Sequence, residues 1–149
     1  MVDVETREAD ESAVLADYRR TTRAWLAENL ARRGGSGPPT ARGDDQTPEL
    51  VAEQRALQAR FHAAGYAGIT WPVEYGGQGL SADHQRVFTE ESAEYALPLP
   101  GGVAAGVTLR IVAPTILAFG TEAQRRDWIP KILSGEEIWV QFLSEPGAG

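Results

Sequence analysis

Cysteine is absent from the 149 residues. That excludes disulfides, catalytic thiols and thiolate metal sites together. Histidine is scarce: His62 and His84 stand far apart in the chain, so a histidine-rich metal site is not expected. Lysine occurs only at Lys131, the other cations being arginine, and no polybasic patch for a membrane surface can be assembled. Positive charge is in deficit as a whole, since 14 Lys and Arg against 21 Asp and Glu leave a net charge of −7. A duplex footprint needs a basic stripe and an excess of cations, which argues against a general nucleic-acid binder. No apolar run approaches the roughly 18 residues that a membrane-spanning helix needs. Met1–Asp10 is acidic and has no apolar core, so it does not read as a signal peptide. The expectation is a cytoplasmic chain with neither membrane nor nucleic acid as partner.

What is present is alanine-rich and apolar at helical spacing, which predicts an all-α helical bundle of about five helices. The first helix is expected from about Glu11 to Arg33. Val14, Leu15, Tyr18, Thr22, Trp25, Leu26 and Leu30 form its inner stripe, and Asp17, Arg20, Arg23 and Glu28 face water. Arg32 and Arg33 would sit in its last turn, with Gly34-Gly35 as the stop. Gly34–Gln46 is a loop by composition, readable as an interdomain linker or, better, as a long surface loop within one bundle. Thr47-Pro48-Glu49 opens a second helix that carries Leu50, Val51, Leu57 and Phe61 inward and ends near Gly65.

The glycines at 76, 77 and 79 invite comparison with a phosphate-cradling loop. The Lys-Ser/Thr of a P-loop is missing and no buried strand precedes them. Turn geometry, with Trp71, Pro72 and Tyr75 packed on the helices, is the stronger reading. Ser81 caps a third helix to about Ala96, on which His84 reads as a structural residue and not a catalytic one. Val103–Phe119 is apolar nearly all round, with Arg110 its one charge, and predicts a central buried helix kinked or broken at Pro114. The Arg110 stem can lie on apolar surface with its head in water, or the head can bind an anion. Gly120 stops that helix, and Thr121–Gln124 is a capping box for the next, which closes at Ser134-Gly135.

Ile138–Leu143 is β-branched and aromatic, and reads as a strand. Nothing else in the chain reads as a strand that could pair with it, and lone strands are not stable in water. The catalytic inventory is thin. No Ser-His-Asp spacing or paired carboxylates on an apolar surface occur, and Glu90, Glu91 and Glu94 read as a solvated face. Glu145 reads as a turn carboxylate, while the glycine-rich end beyond the strand would let backbone amides approach a planar or anionic cofactor.

Three segments in order carry a resemblance: Gly68–Gly79 (GITWPVEYGGQG), Phe119–Glu136 (FGTEAQRRDWIPKILSGE) and Gln141–Gly149 (QFLSEPGAG). Together the sequence resembles the N-terminal part of the acyl-CoA dehydrogenase family, over roughly Tyr18 to Gly149. The resemblance implies a helical N-terminal domain, a central β domain and a C-terminal four-helix domain. By that map residues 1–136 are the helical domain, and residues 137–149 are the start of the β domain, with Ile138–Leu143 its opening strand. It further implies FAD as cofactor, with Gln141, Leu143, Ser144 and Gly149 contacting it. The family motif continues beyond that glycine with Ser-Asp, and both are absent from this sequence.

The implied reaction is α,β-dehydrogenation of an acyl-CoA thioester, a step of fatty acid metabolism. A glutamate takes the α proton, the β hydrogen leaves as hydride, and an electron-transfer flavoprotein accepts the electrons. The family's base belongs to the C-terminal domain, so no catalytic residue is assigned within these 149 residues. The expectation is therefore an incomplete oxidoreductase, inactive alone and oligomeric at full length. The competing reading is a non-catalytic helical subunit that completes a flavin site with a partner chain.

Overall fold

The computed structural model describes residues 4–33, 47–100 and 102–140. Helices account for most of them: α1 (Val4–Asn29), α2 (Pro48–Ala63), α3 (Ala82–Ser92), α4 (Val103–Val107), α5 (Ala113–Phe119) and α6 (Glu122–Ser134). A π-helical turn, Thr108–Val112, joins α4 to α5, so the described residues form five helical rods. The chain divides into two compact units, one of residues 1–38 and 79–97, the other of residues 39–78 and 98–149.

The first unit pairs α1 with α3. Thr22 and Leu26 on α1, with Leu30 directly after its last residue, are buried, as are Val87, Phe88 and Ser92 on α3. These fall at i, i+4 and i+8 on one helix and at i, i+1 and i+5 on the other, which is the spacing of a single inward stripe. Val14, expected on that stripe, is 55% exposed, so the apolar contact begins further along the helix. The helix also stops sooner than its expected end. Arg32 and Arg33 are not in a last helical turn; Ala31–Arg33 leaves the helix to meet the chain following α3. The Arg33 amide donates to the Glu94 carbonyl at 2.8 Å, and the Ala96 amide to the Ala31 carbonyl at 2.9 Å. This isolated antiparallel bridge accounts for α3 ending at Ser92, short of Ala96, because residues 94–96 spend their backbone groups on residues 31–33.

The second unit packs α2 against α6, with the α4–α5 rod beside α6. Thr47 accepts from the Leu50 amide with proline next in line, as the sequence indicates for a helix start. Thr121 and Gln124 form the reciprocal capping box. Between α2 and α3, Ile69 is almost fully buried and a short 3-10 turn (Val73–Tyr75) buries Tyr75. Gly77 lies so close to Trp71 that a Cβ would overlap the Trp71 carbonyl. The glycine-rich segment is thus a packing device, in agreement with the turn reading.

Pro114 neither breaks nor visibly terminates its helix. A proline cannot donate to the carbonyl four residues back and its ring crowds that carbonyl. Here the preceding turn widens, and the Ala113 amide reaches the Thr108 carbonyl five residues back. The expected central burial of this rod is not found. Ala105, Thr108, Ala113 and Ile116 are buried, but Ile111 is 51% and Phe119 86% exposed. Arg110 is exposed as well, which matches a head reaching water. Composition registers that a helix is apolar, not which face has a neighbour.

Candidate functional site

The residues expected to hold a cofactor, Gln141, Leu143, Ser144 and Gly149, lie outside the described residues, as does Glu145. The described structure does show how the chain is delivered to them. α6 ends at Gly135, whose φ of +78° is a left-handed cap. A Cβ there would come within 2.9 Å of the Gln58 side chain, so only glycine meets both demands.

The carbonyls left over at the end of α6 need donors, and α2 supplies them. Gln58, 3% exposed, donates from Nε2 to the Leu133 carbonyl at 2.7 Å. Arg55 donates from Nε to the Gly135 carbonyl at 2.8 Å and also to the Glu136 carbonyl. Lys131 pairs with Asp127 at 2.7 Å, which raises its pKa, and it also faces Glu137 at 3.7 Å.

Beyond the cap, residues 137–140 run without a strand partner, and no strand ladder occurs among the described residues. The expected strand is therefore not found at Ile138–Val140; its remainder, 141–143, is outside the described residues. Thr108 takes the place of a neighbouring strand. Its Oγ1 accepts from the Trp139 amide at 2.9 Å and lies 2.8 Å from the Trp139 carbonyl. Trp139 stacks obliquely on Trp128 with ring centroids 5.1 Å apart, and its indole N–H donates to Glu137 at 3.0 Å. A cavity of about 10 Å³ lies here, lined by Gln58, Pro100, Ala105, Thr108 and Ile132 among others. That is close to the lower limit for one water and far too small for a cofactor.

His84, read from the sequence as structural, is held by its neighbours: its ring meets Tyr18 edge-on at 4.9 Å and its Nδ1 lies 2.8 Å from the Ser81 hydroxyl. His62 Nε2 lies 3.1 Å from the Gly76 carbonyl and so tethers the glycine turn to α2. The acidic run is not merely a solvated face. Glu91 Oε1 and Oε2 take both prongs of Arg23, at 2.9 and 2.7 Å, and Arg19 reaches Glu91 at 2.7 Å and Glu90 at 2.6 Å. Arg23 lowers the Glu91 pKa most, against the opposing effect of burial, and Arg19 adds to the lowering.

Tyr75 donates to Glu122 at 2.7 Å, and this bond is the main cause of that carboxyl's lowered pKa. Among the described residues no three His, Asp or Glu side chains gather as a metal site. None of their helices is long and apolar enough to cross a membrane. Sequence reasoning passed over Thr108, Gln58 and Arg55. The available signals were a hydroxyl six residues ahead of a helical proline and polar groups three residues before Phe61 (Gln58) and seven before His62 (Arg55).

The helices from the middle of α1 to α6 fall within one family domain, that of the acyl-CoA dehydrogenase N-terminus. The family model of that description, "Acyl-CoA dehydrogenase, N-terminal domain", matches residues 15–136. The chain belongs to the acyl-CoA dehydrogenase family. It is 38% identical over 138 residues to acyl-CoA dehydrogenase IpdE1 of Mycobacterium tuberculosis, covering 89% of this chain and 34% of the relative. It is 32% identical over 131 residues to mitochondrial isovaleryl-CoA dehydrogenase of Bos taurus, covering 88% and 28%.

Among solved structures it resembles a chain of the ChsE4-ChsE5 complex from Mycobacterium tuberculosis, with a TM-score of 0.56 at 33% identity, covering 91% of this chain and 31% of that one. The Tcur3481-Tcur3483 steroid ACAD aligns with a TM-score of 0.57 at 29% identity, covering 92% and 33%. The chain spans about a third of the length of the relatives it matches.

Proposed function

We propose that this chain is the N-terminal part of a FAD-dependent acyl-CoA dehydrogenase and is inactive by itself. The family match over residues 15–136 carries the reading, and the QFLSEPGAG segment that follows it supports the cofactor. Residues 1–136 form the helical domain and residues 137–149 begin the β domain. Gln141, Leu143, Ser144 and Gly149 hold the flavin. Their donor set (a carboxamide, a hydroxyl and a glycine amide) is neutral and hydrogen-bonding, which suits the polar edge of a heteroaromatic ring.

Bound flavin would supply the acceptor for the hydride that leaves the β carbon of the acyl-CoA, while a glutamate outside this chain takes the α proton. The helical domain aligns and shields, and no residue within it is assigned to proton transfer. An electron-transfer flavoprotein accepts the electrons, and the assembly works in the cytoplasm.

A second reading, a helical subunit that completes the flavin site with a partner chain, is favoured by one observation. Ile111 on the π turn and Phe119 at the end of α5 are exposed and apolar, and such faces mark interaction surfaces. The ChsE4-ChsE5 relative is itself described as a complex. The two readings separate in a tagged-chain purification with FAD titration. Weak FAD uptake by the isolated chain supports the first, and stoichiometric recovery of a second flavoprotein chain supports the second. A chain that takes up no FAD in either setting would overturn both.

A further inference from the structure

We propose that Thr108 is a positioning residue for the segment beginning at Gln141, acting through the main chain of Trp139. The proposal rests on the flavin assignment above. Thr108 is 3% exposed and opens the π turn. Its Oγ1 lies 2.9 Å from the Trp139 nitrogen, 2.8 Å from the Trp139 oxygen and 2.7 Å from the Ala104 oxygen. A hydroxyl has one proton and two lone pairs. The Trp139 amide therefore donates to it, and its own proton goes to one of the two carbonyls at a time.

Both backbone polar groups of residue 139 thus depend on a single side chain, where a β segment would have a neighbouring strand. Taking both groups of one residue also fixes register. A slip by one position would present Ile138 or Val140 to the hydroxyl in place of Trp139. Trp128 and Glu137 hold the Trp139 ring at the same point. Gln141, the first of the proposed flavin contacts, is two residues further on.

The test compares Thr108→Val, which keeps the shape and removes the hydroxyl, with Thr108→Ser, which keeps the hydroxyl. Hydrogen exchange at the Trp139 amide and FAD affinity are read on the full chain, with far-UV circular dichroism to confirm the helices. Thr108→Val should release Trp139 amide protection and weaken FAD binding roughly tenfold, the equivalent of about one buried hydrogen bond. Thr108→Ser should restore both. Unchanged Trp139 exchange in Thr108→Val overturns the clasp. Faster exchange with unchanged FAD affinity overturns the positioning role alone. A wild-type chain with no measurable FAD affinity overturns the flavin assignment, and the role with it.

Discussion

Glu91→Gln is the substitution whose effect the structure constrains best. The carboxylate side chain is 10% exposed, while its partners Arg19 and Arg23 are 37% and 65% exposed. Glutamine keeps the shape but loses the charge and turns an amide donor toward guanidinium donors. Exposed pairs contribute about 0.2–1 kcal/mol, and removing one partner of a fully buried pair costs about 3–5 kcal/mol. A covered carboxylate with two half-open partners falls between, at about 1–2 kcal/mol at neutral pH.

The same geometry sets the pH dependence. The Glu91 pKa is lowered in the folded chain, so its contribution is fully present above the ordinary glutamate value of about 4.3 and disappears as pH falls through the lowered one. Urea unfolding followed by circular dichroism, at neutral pH and then in acid, measures both. The expected result is a gap between wild type and Glu91→Gln that closes in acid. A gap absent at neutral pH, or one that persists unchanged in acid, would refute the assignment of the clasp to a charged Glu91.

Glu90→Gln, with one ion pair and a side chain 49% exposed, should cost under about 1 kcal/mol in the same urea experiment. Gly106 sits inside α4 with open space where a Cβ would point, so Gly106→Ala should stabilise by about 0.5–1 kcal/mol in thermal melts. Gly77→Ala should do the reverse, since the new Cβ would overlap the Trp71 carbonyl; a lower midpoint than wild type checks it. Thr121→Ala removes half of a capping box and should cost about 1 kcal/mol by urea titration. Tyr75→Phe should raise the Glu122 pKa toward its ordinary value, readable by NMR titration of that carboxyl, because the phenol is the main cause of its lowering.

Local chemistry was legible in the sequence. Thr47 and Thr121 cap helices because their side chains need only the next turn. Gly135 stops α6, and His84 is held by neighbours on its own unit. What escaped is non-local. α1 ends at Asn29 because residues 31–33 bond to residues 94–96, a pairing no window of sequence contains.

Pro114 announced a disturbance, but relief by a kink and relief by a wider turn follow equally from a missing amide. The α5 rod shares the apolar content of a buried helix, and exposure of Ile111 and Phe119 depends on what else is present. The motif at 141–149 was readable as a family resemblance, whereas the hydroxyl that anchors Trp139 was not, since threonine in a helix ordinarily bonds back to its own turn.

The most direct measurement is anaerobic flavin absorbance of the purified chain saturated with FAD, before and after adding an acyl-CoA. The expected result is bound flavin with no bleaching, because the proposed reading gives the chain the start of a flavin site and no base. Bleaching by the chain alone would contradict that account, and an absorbance spectrum of free FAD throughout would contradict the cofactor assignment at its root.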